Sequence, residues 1–307
     1  MTGHAIMFHH FHGGSHIKGQ GSISASEFEL GLSYLNKNYN LISSDEYQKR
    51  CESNTLGKSD VCLSFDDGLL CQYEVALPIL DKWGLKAYFF VPSSPLEGVP
   101  INLELFRYFR SAYFTDVEEF YDMFFAICAS HCPNEFSRAK AFCSVQKYKH
   151  EHSFYTEDDR LYRYFRDHCV SNEVFNELMF GLMKDFGVDI NKIKSLLWMN
   201  QRRIQHLENK EHIVGLHTHT HPTVMNFHSY REEYSEYKLN RDCLQKVTGK
   251  NNIDVAAYPC GNHSKNSKTI LRALGVKVAF AANTDVSIAE DPLEQPREDH
   301  TKIMMAI

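Results

Sequence analysis

Three short stretches of this sequence concentrate residue types that do chemistry. Ser64-Phe65-Asp66-Asp67-Gly68 sets two carboxylates side by side directly after the apolar run Val61 to Phe65. Adjacent negative charges are costly to hold close together unless a cation or a proton separates their roles. An Asp-Asp-Gly turn is the alternative that asks for no chemistry. Gly-Leu-His-Thr-His-Thr-His-Pro, residues 215 to 222, again follows an apolar run and places His217 and His221 four residues apart. That spacing lets one helical turn or a tight loop aim both imidazoles at one ion, and Pro222 favours the loop. His219 faces away from its neighbours by strand alternation and reads as a satisfied structural histidine. The third stretch, Ala257-Tyr258-Pro259-Cys260-Gly261, also closes an apolar run.

The elements that would position these residues recur along the chain. Strand-like runs are AIMFHH near the start, NLIS near residue 40, VCLSF ending at Phe65, KAYFFV ending at Val91, IVGL ending at Leu216, DVAAY ending at Tyr258, KVAFAA ending at Ala282, and KIMMAI at the end. Helical patterns lie between them: Glu27 to Asn36 after the Ser-rich SISASE, Tyr73 to Trp83 before Gly84, and Ser267 to Leu274 before Gly275. Continuous apolar strands alternating with amphipathic helices predict a parallel sheet buried on both faces, either open and doubly wound or closed as a barrel. All three stretches then lie on its carboxyl face, where α/β enzymes build their sites. From residue 97 to 200 the alternation breaks into helices. Phe120, Phe124, Ile127 and Cys128 recur there at helical spacing, which predicts core packing. One barrel domain over residues 1–307 with a helical insertion over 97–200 accounts for the length.

Hydrophobic residues at 43% and charged residues at 23% describe a globular chain able to bury a core. A net charge of -6 with both signs interspersed excludes the electrostatic footprint of a nucleic-acid binder. No apolar run is long enough to span a bilayer, and the first residues lack a secretory pattern. Nine cysteines, an odd number without framework spacing, predict reduced thiols and a cytoplasmic protein. Cys128, His131 and Cys132 lack a second pair at zinc-finger spacing and read as structural.

Taken together, the motifs resemble those of the polysaccharide deacetylase superfamily, carbohydrate esterase family 4, also called the NodB-homology fold. Ser64-Phe65-Asp66-Asp67-Gly68 is similar to its T/S-F-D-D-G motif, and His217-Thr218-His219-Thr220-His221-Pro222 to its H-S/T-x-x-H-P motif. The resemblance covers residues 1–95 and 200–307. It implies a distorted parallel (β/α) barrel with the helical subdomain inserted, and a mononuclear divalent metal on Asp67, His217 and His221. It also implies Asp66 as general base, and a groove wall at Tyr258, Pro259 and Cys260 that binds substrate. Zinc suits two imidazoles and a carboxylate, while Fe, Co, Ni and Mn are chemically admissible. Many members carry an Arg where this chain has Ala257, so Arg297 is the candidate substitute. The late Leu-x-His that supplies the general acid is absent in that form, which leaves His300 as the nearest candidate.

The expected reaction is N-deacetylation of an amino sugar. Metal-activated water attacks the acyl carbonyl, with Asp66 taking a proton and His300 protonating the amine. The opening FHHFH with GSIS resembles members of surface-glycan biosynthesis, which favours a small cytosolic amino-sugar or nucleotide-sugar substrate. An O-deacetylase and a deformylase would use the same site. A non-haem Fe(II) oxygenase also uses two His and one carboxylate, but parallel βα patterning and the second Asp count against it. A catalytically silent glycan-binding barrel is the non-enzymatic alternative. Oligomeric state has no signature in the sequence.

Overall fold

The computed structural model describes residues 4–146, 148, 155–225, 228–282 and 291–307. Its chain divides into two compact units: residues 1–101 with 194–307, and residues 102–193.

The first unit is a parallel sheet of β1 (His4–Phe8), β2 (Asn40–Leu41), β3 (Asp60–Phe65), β4 (Tyr88–Val91), β5 (Ile213–Leu216), β6 (Val255–Ala257), β7 (Val278–Phe280) and β8 (Arg297–Asp299). Its strand order is β7-β6-β5-β4-β3-β1-β8, with β2 also beside β3, and every pairing is parallel. Ala281 N donates to Gln295 O at 2.9 Å and Gln295 N to Ala279 O at 2.8 Å, so the segment entering β8 nearly closes the sheet on β7. The result is a distorted (β/α) barrel. Between its early strands run α1 (Ala25–Asn38), α2 (Ser44–Glu52), and a π-helical turn, Gln72–Ala76, continuing into α3 (Leu77–Trp83). Ser24 caps α1 through a full capping box with Glu27, as the Ser-rich entry predicts, and Gly84 ends α3 at φ 64°.

Helices α4 (Asn102–Tyr113), α5 (Val117–His131), α6 (Pro133–Val145), α7 (Glu157–Tyr164) and α8 (Asn172–Asp185) form the second unit, and α9 (Ile190–Leu197) starts in it. Phe109, Phe120, Phe124, Tyr162 and Phe175 are buried at its centre. The Arg110 guanidinium donates to Tyr121 Oη at 2.7 Å, and Tyr121 donates on to Asp159 Oδ1, so its buried charges answer each other. Cys128 is buried on α5, consistent with a structural thiol.

The barrel resumes with α10 (Gln201–Asn209), α11 (Tyr230–Thr248) and α12 (Lys265–Ala273), and ends in α13 (His300–Ala306). The last helix corrects the expected strand KIMMAI. Asp299 caps it by accepting from Thr301 N at 2.9 Å, and the closing strand is instead the short, charged Arg297-Glu298-Asp299, paired to β1. A three-residue strand of charged residues carries no apolar run from which to read it.

Strand periodicity fills the barrel. Ala5, Cys62, Tyr88, Phe90, Val255, Ala257, Val278 and Phe280 form one buried cluster, with pairs two residues apart on β4, β6 and β7. A Cβ on Gly215 would lie 2.6 Å from the Phe90 ring and 2.8 Å from Val255, so only glycine leaves room for that ring. At the amino end of the β4–β5 pair, the buried His212 accepts from Ala87 N through Nδ1 at 3.2 Å. Burial, reinforced by the nearby Lys86, Lys210 and His206 charges against an opposing Asp81, lowers its pKa to about 4.

His212 titrates near 6.5 in an unfolded chain, so the folded state favours its neutral form. That contribution, on the order of 3 kcal/mol, is complete above about pH 6.5 and lost as pH falls toward 4. His212→Asn keeps an acceptor for Ala87 without titrating. It is expected to flatten the dependence of Tm on pH across this window, measured by thermal denaturation.

Candidate active site

Each chemical residue leaves the carboxyl end of a strand in phase with the barrel interior. On β3, Cys62 and Ser64 lead to Asp66; on β5, Gly215 leads to His217; on β1, Ala5 and Met7 lead to His9. Asp67, next in line, would alternate away. Its φ of 75° turns it back, and Gly68 follows at φ 61°. Among the described residues six non-glycine positions have positive φ, and four of them are Asp67, Thr218, His221 and Cys260. Conformations this unfavourable persist only where surroundings impose them, and here they cluster in the three motifs.

Asp67 Oδ1 lies 3.2 Å from His221 Nε2 and 3.5 Å from His217 Nε2. All three residues are buried, and their candidate ligand atoms lie within 4.8 Å of one another. The His217 Nδ1 atom is 2.9 Å from the Ala257 carbonyl, which can only accept, so Nδ1 carries the proton. In a neutral ring the Nε2 lone pair then faces a carboxylate oxygen, so two acceptors confront each other. A cation at that point resolves the conflict, and two imidazoles with one carboxylate, plus open positions, suit a divalent metal. The donor set therefore fits the metal that the motifs imply.

Asp66 has a different environment. Its Oδ1 accepts from the Arg297 guanidinium at 2.7 Å, and both side chains are buried. Arg297 is 1% exposed, donates also to the Ala281 carbonyl at 3.3 Å, and lies over the Phe90 ring at 5.7 Å. Burial pushes the Asp66 carboxyl up, but the charges of Arg297, His217 and His9 together hold it below the usual carboxylate range. Burial likewise opposes ionisation of Asp67, and His221, His217 and His9 more than offset it.

The sequence reading passed over His9. Its Nε2 stands 3.8 Å from Asp66 Oδ2 and 4.0 Å from Asp67 Oδ2, with its side chain 27% exposed. The available signal was its place one residue beyond β1, at the same end as the other motifs. His300 is placed otherwise. It is buried under Phe8 with ring centroids 5.3 Å apart, and its Nε2 is 3.0 Å from the Gly21 carbonyl. Burial lowers its pKa against the pull of Asp299. A ring so enclosed and committed to backbone is not brought to the carboxylates. Tyr258 is also enclosed. Its hydroxyl donates to the Leu293 carbonyl at 2.8 Å and Pro259 is buried beside it, while Cys260 is exposed. His219 is bonded away from the cluster, Nδ1 to Ser93 Oγ at 2.9 Å.

Residues 161–279 match the sequence model of the polysaccharide deacetylase family, a segment that holds His217, His221 and the third motif. The structure is similar to a Streptococcus pyogenes deacetylase, PplD, solved with acetate, at 16% identity and a TM-score of 0.55 over 97% of this chain and 92% of that one. It is also similar to IcaB from Ammonifex degensii, at 17% identity and TM-score 0.57 over 97% and 91%. A third likeness is a de-N-acetylase from Aggregatibacter actinomycetemcomitans, at 14% and 0.53 over 96% and 93%. At such identities the likeness establishes the shared fold. No curated protein sequence matches. Over that segment the chain is similar to the polysaccharide deacetylase family, and its barrel is the fold of the solved deacetylases. No helix among the described residues is long and apolar enough to cross a membrane.

Removing one partner of a buried ion pair strands the other charge, at a cost of about 3–5 kcal/mol. Arg297→Met is expected to lose stability of this order, measured by denaturant unfolding. The loss should shrink in an Asp66→Asn, Arg297→Met double variant.

Proposed function

We propose that this chain is a divalent-metal-dependent N-deacetylase of an amino sugar, with Asp67, His217 and His221 as the metal ligands. The observation that carries the reading is the His217 ring, fixed by Ala257 so that its Nε2 lone pair meets the Asp67 carboxylate. A bound divalent ion would polarise the acyl carbonyl and acidify a water.

The residues around that point divide the remaining work. Asp66, ionised and held by Arg297 through Oδ1, keeps Oδ2 to accept the proton of the attacking water. His9, within 4 Å of both carboxylates and open to solvent, is positioned to protonate the departing nitrogen. That nitrogen needs a proton, whereas an alkoxide needs it less, so an acid at His9 supports the amide over the ester substrate. The N–H groups of Gly261 and Asn262 are spent inside their own turn, at 2.9 Å from Tyr258 O and Pro259 O. The Cys260 N–H is the donor we assign to the developing oxyanion. The parallel barrel and the second carboxylate favour hydrolysis over Fe(II) oxygenation. Zinc is our first assignment for the metal. Nine cysteines without framework spacing support a reducing, cytoplasmic setting, which in turn favours a small amino-sugar or nucleotide-sugar substrate.

The assignments separate the two aspartates. Asp67→Ala should lose metal, and Asp66→Asn should keep it yet lose about 10²–10⁴-fold in turnover. The checks are metal analysis beside acetate release from N-acetylated amino sugars and their nucleotide conjugates, with and without chelator. A metal-free or fully active Asp66→Asn protein would sink the assignment. His9→Gln should depress amide hydrolysis far more than hydrolysis of an aryl acetate, whose leaving group needs no proton. Equal loss on both substrates would remove His9 as the acid.

A further inference from the structure

The loop from His217 to His221 is held by side chains of one helix. Rungs of a parallel ladder recur every two residues. Ile213 N donates to Ala87 O at 3.1 Å, so the same step would bring His217 N to Val91 O. That rung is replaced. His217 N donates to Asn240 Oδ1 at 2.9 Å, and Asn240 Nδ2 donates to Val91 O at 2.9 Å. One partner can only donate and the other only accept, so the amide orientation is forced. The Asn240 side chain, fully buried on α11, is thus a wedge in the last rung, parting β4 and β5 where His217 leaves the sheet.

One turn earlier on the same face of α11, Glu236 collects the next donors. Its Oε2 accepts from His219 N at 2.9 Å and Thr220 N at 2.8 Å, and its Oε1 accepts from Thr220 Oγ1 at 2.8 Å. His221 N donates to Thr218 Oγ1 at 3.2 Å. Between these bonds Thr218 and His221 sit at φ 62° and 58°, which a free loop would relax. A carboxylate accepting three donors is well suited to oppose that strain.

We propose that Glu236 and Asn240 are positioning residues, and that α11 is the template setting the separation and aim of His217 and His221. The proposal rests on the metal assignment made above, and its test keeps the two apart. Metal dissociation constants are measured by competition with a chromophoric chelator, and the ligand field is read from the visible spectrum of the Co(II)-loaded protein. Apo-protein Tm is recorded in parallel. Partners beyond the direct ligands typically contribute 10–100-fold to metal affinity. Glu236→Ala should weaken Zn(II) binding by roughly that factor and shift the Co(II) bands, and Glu236→Gln, keeping one acceptor oxygen, should fall between it and the parent. Asn240→Asp loses the donor to Val91 and should move the same bands; if it does not fold, the half-exposed Glu236 decides alone. Unchanged affinity and spectrum in Glu236→Ala, with or without a fall in apo Tm, overturn the proposal when Asp67→Ala has lost the metal. Parent-like metal binding in Asp67→Ala instead overturns the metal assignment, and the positioning claim with it.

Discussion

Two consecutive carboxylates are buried at the mouth of this barrel, and two neighbouring negative charges away from water demand separate answers. Asp66 is answered by the Arg297 guanidinium, 2.7 Å from its Oδ1. Asp67 faces two imidazole nitrogens at 3.2 and 3.5 Å, and this cluster of donor atoms is suited to a shared cation. Much of the barrel's irregularity follows from that division. The short β8 exists to bring Arg297 beside Ala5 on the interior face, and Asp67 takes a left-handed φ so that adjacent residues serve one centre. Gly215 yields its space to Phe90, on which Arg297 rests.

Much of this was legible in the sequence, for an identifiable reason. Apolar runs of strand length and histidines or aspartates placed directly after them carry both the fold and the end of the sheet where chemistry collects. The clustering of Asp66, Asp67, His217 and His221 was therefore readable, and so was the pairing of Arg297 with Asp66, from the gap left at Ala257. Position relative to a strand end is a weaker guide when the strand itself is illegible. With β8 unseen, His300 was read as the nearest candidate for the general acid, whereas its ring lies buried under Phe8 at the start of the last helix. His9 followed a clear strand but belongs to a histidine-rich run, in which phase against the barrel interior is the distinguishing fact. Phase is read from register, and register needs the neighbouring strands.

Side-chain to backbone bonds were the least legible layer. Asn240 and Glu236 lie 23 and 16 residues from the nearest groups they hold. Nothing in an amphipathic helix marks which polar residues face a loop and which face water. The same helix shows both uses, since Lys238 and Asp242 pair at its half-exposed surface while Asn240 is fully enclosed.

The Arg297 contact also sets a compromise at Asp66. A guanidinium at 2.7 Å stabilises the ionised carboxylate, which keeps it free of protons at neutral pH but makes it a weaker base. The bond occupies Oδ1 and fixes the plane of the group, so Oδ2 is presented in one orientation, and orientation is worth more to proton transfer than a modest gain in basicity. A weak base would suffice if, as proposed, a divalent ion acidifies the water. In the proposed reaction the donor side has the opposite requirement. A proton must reach the leaving nitrogen and be replaced each turnover, which calls for an imidazole in contact with solvent. His9 at the rim meets that condition, and His300, enclosed between Phe8 and the Gly21 carbonyl, does not. Burial thus sorts the roles proposed for this barrel: Asp66, the proposed proton acceptor, is held inside by a fixed charge, and His9, the proposed donor, stands where water can restore it.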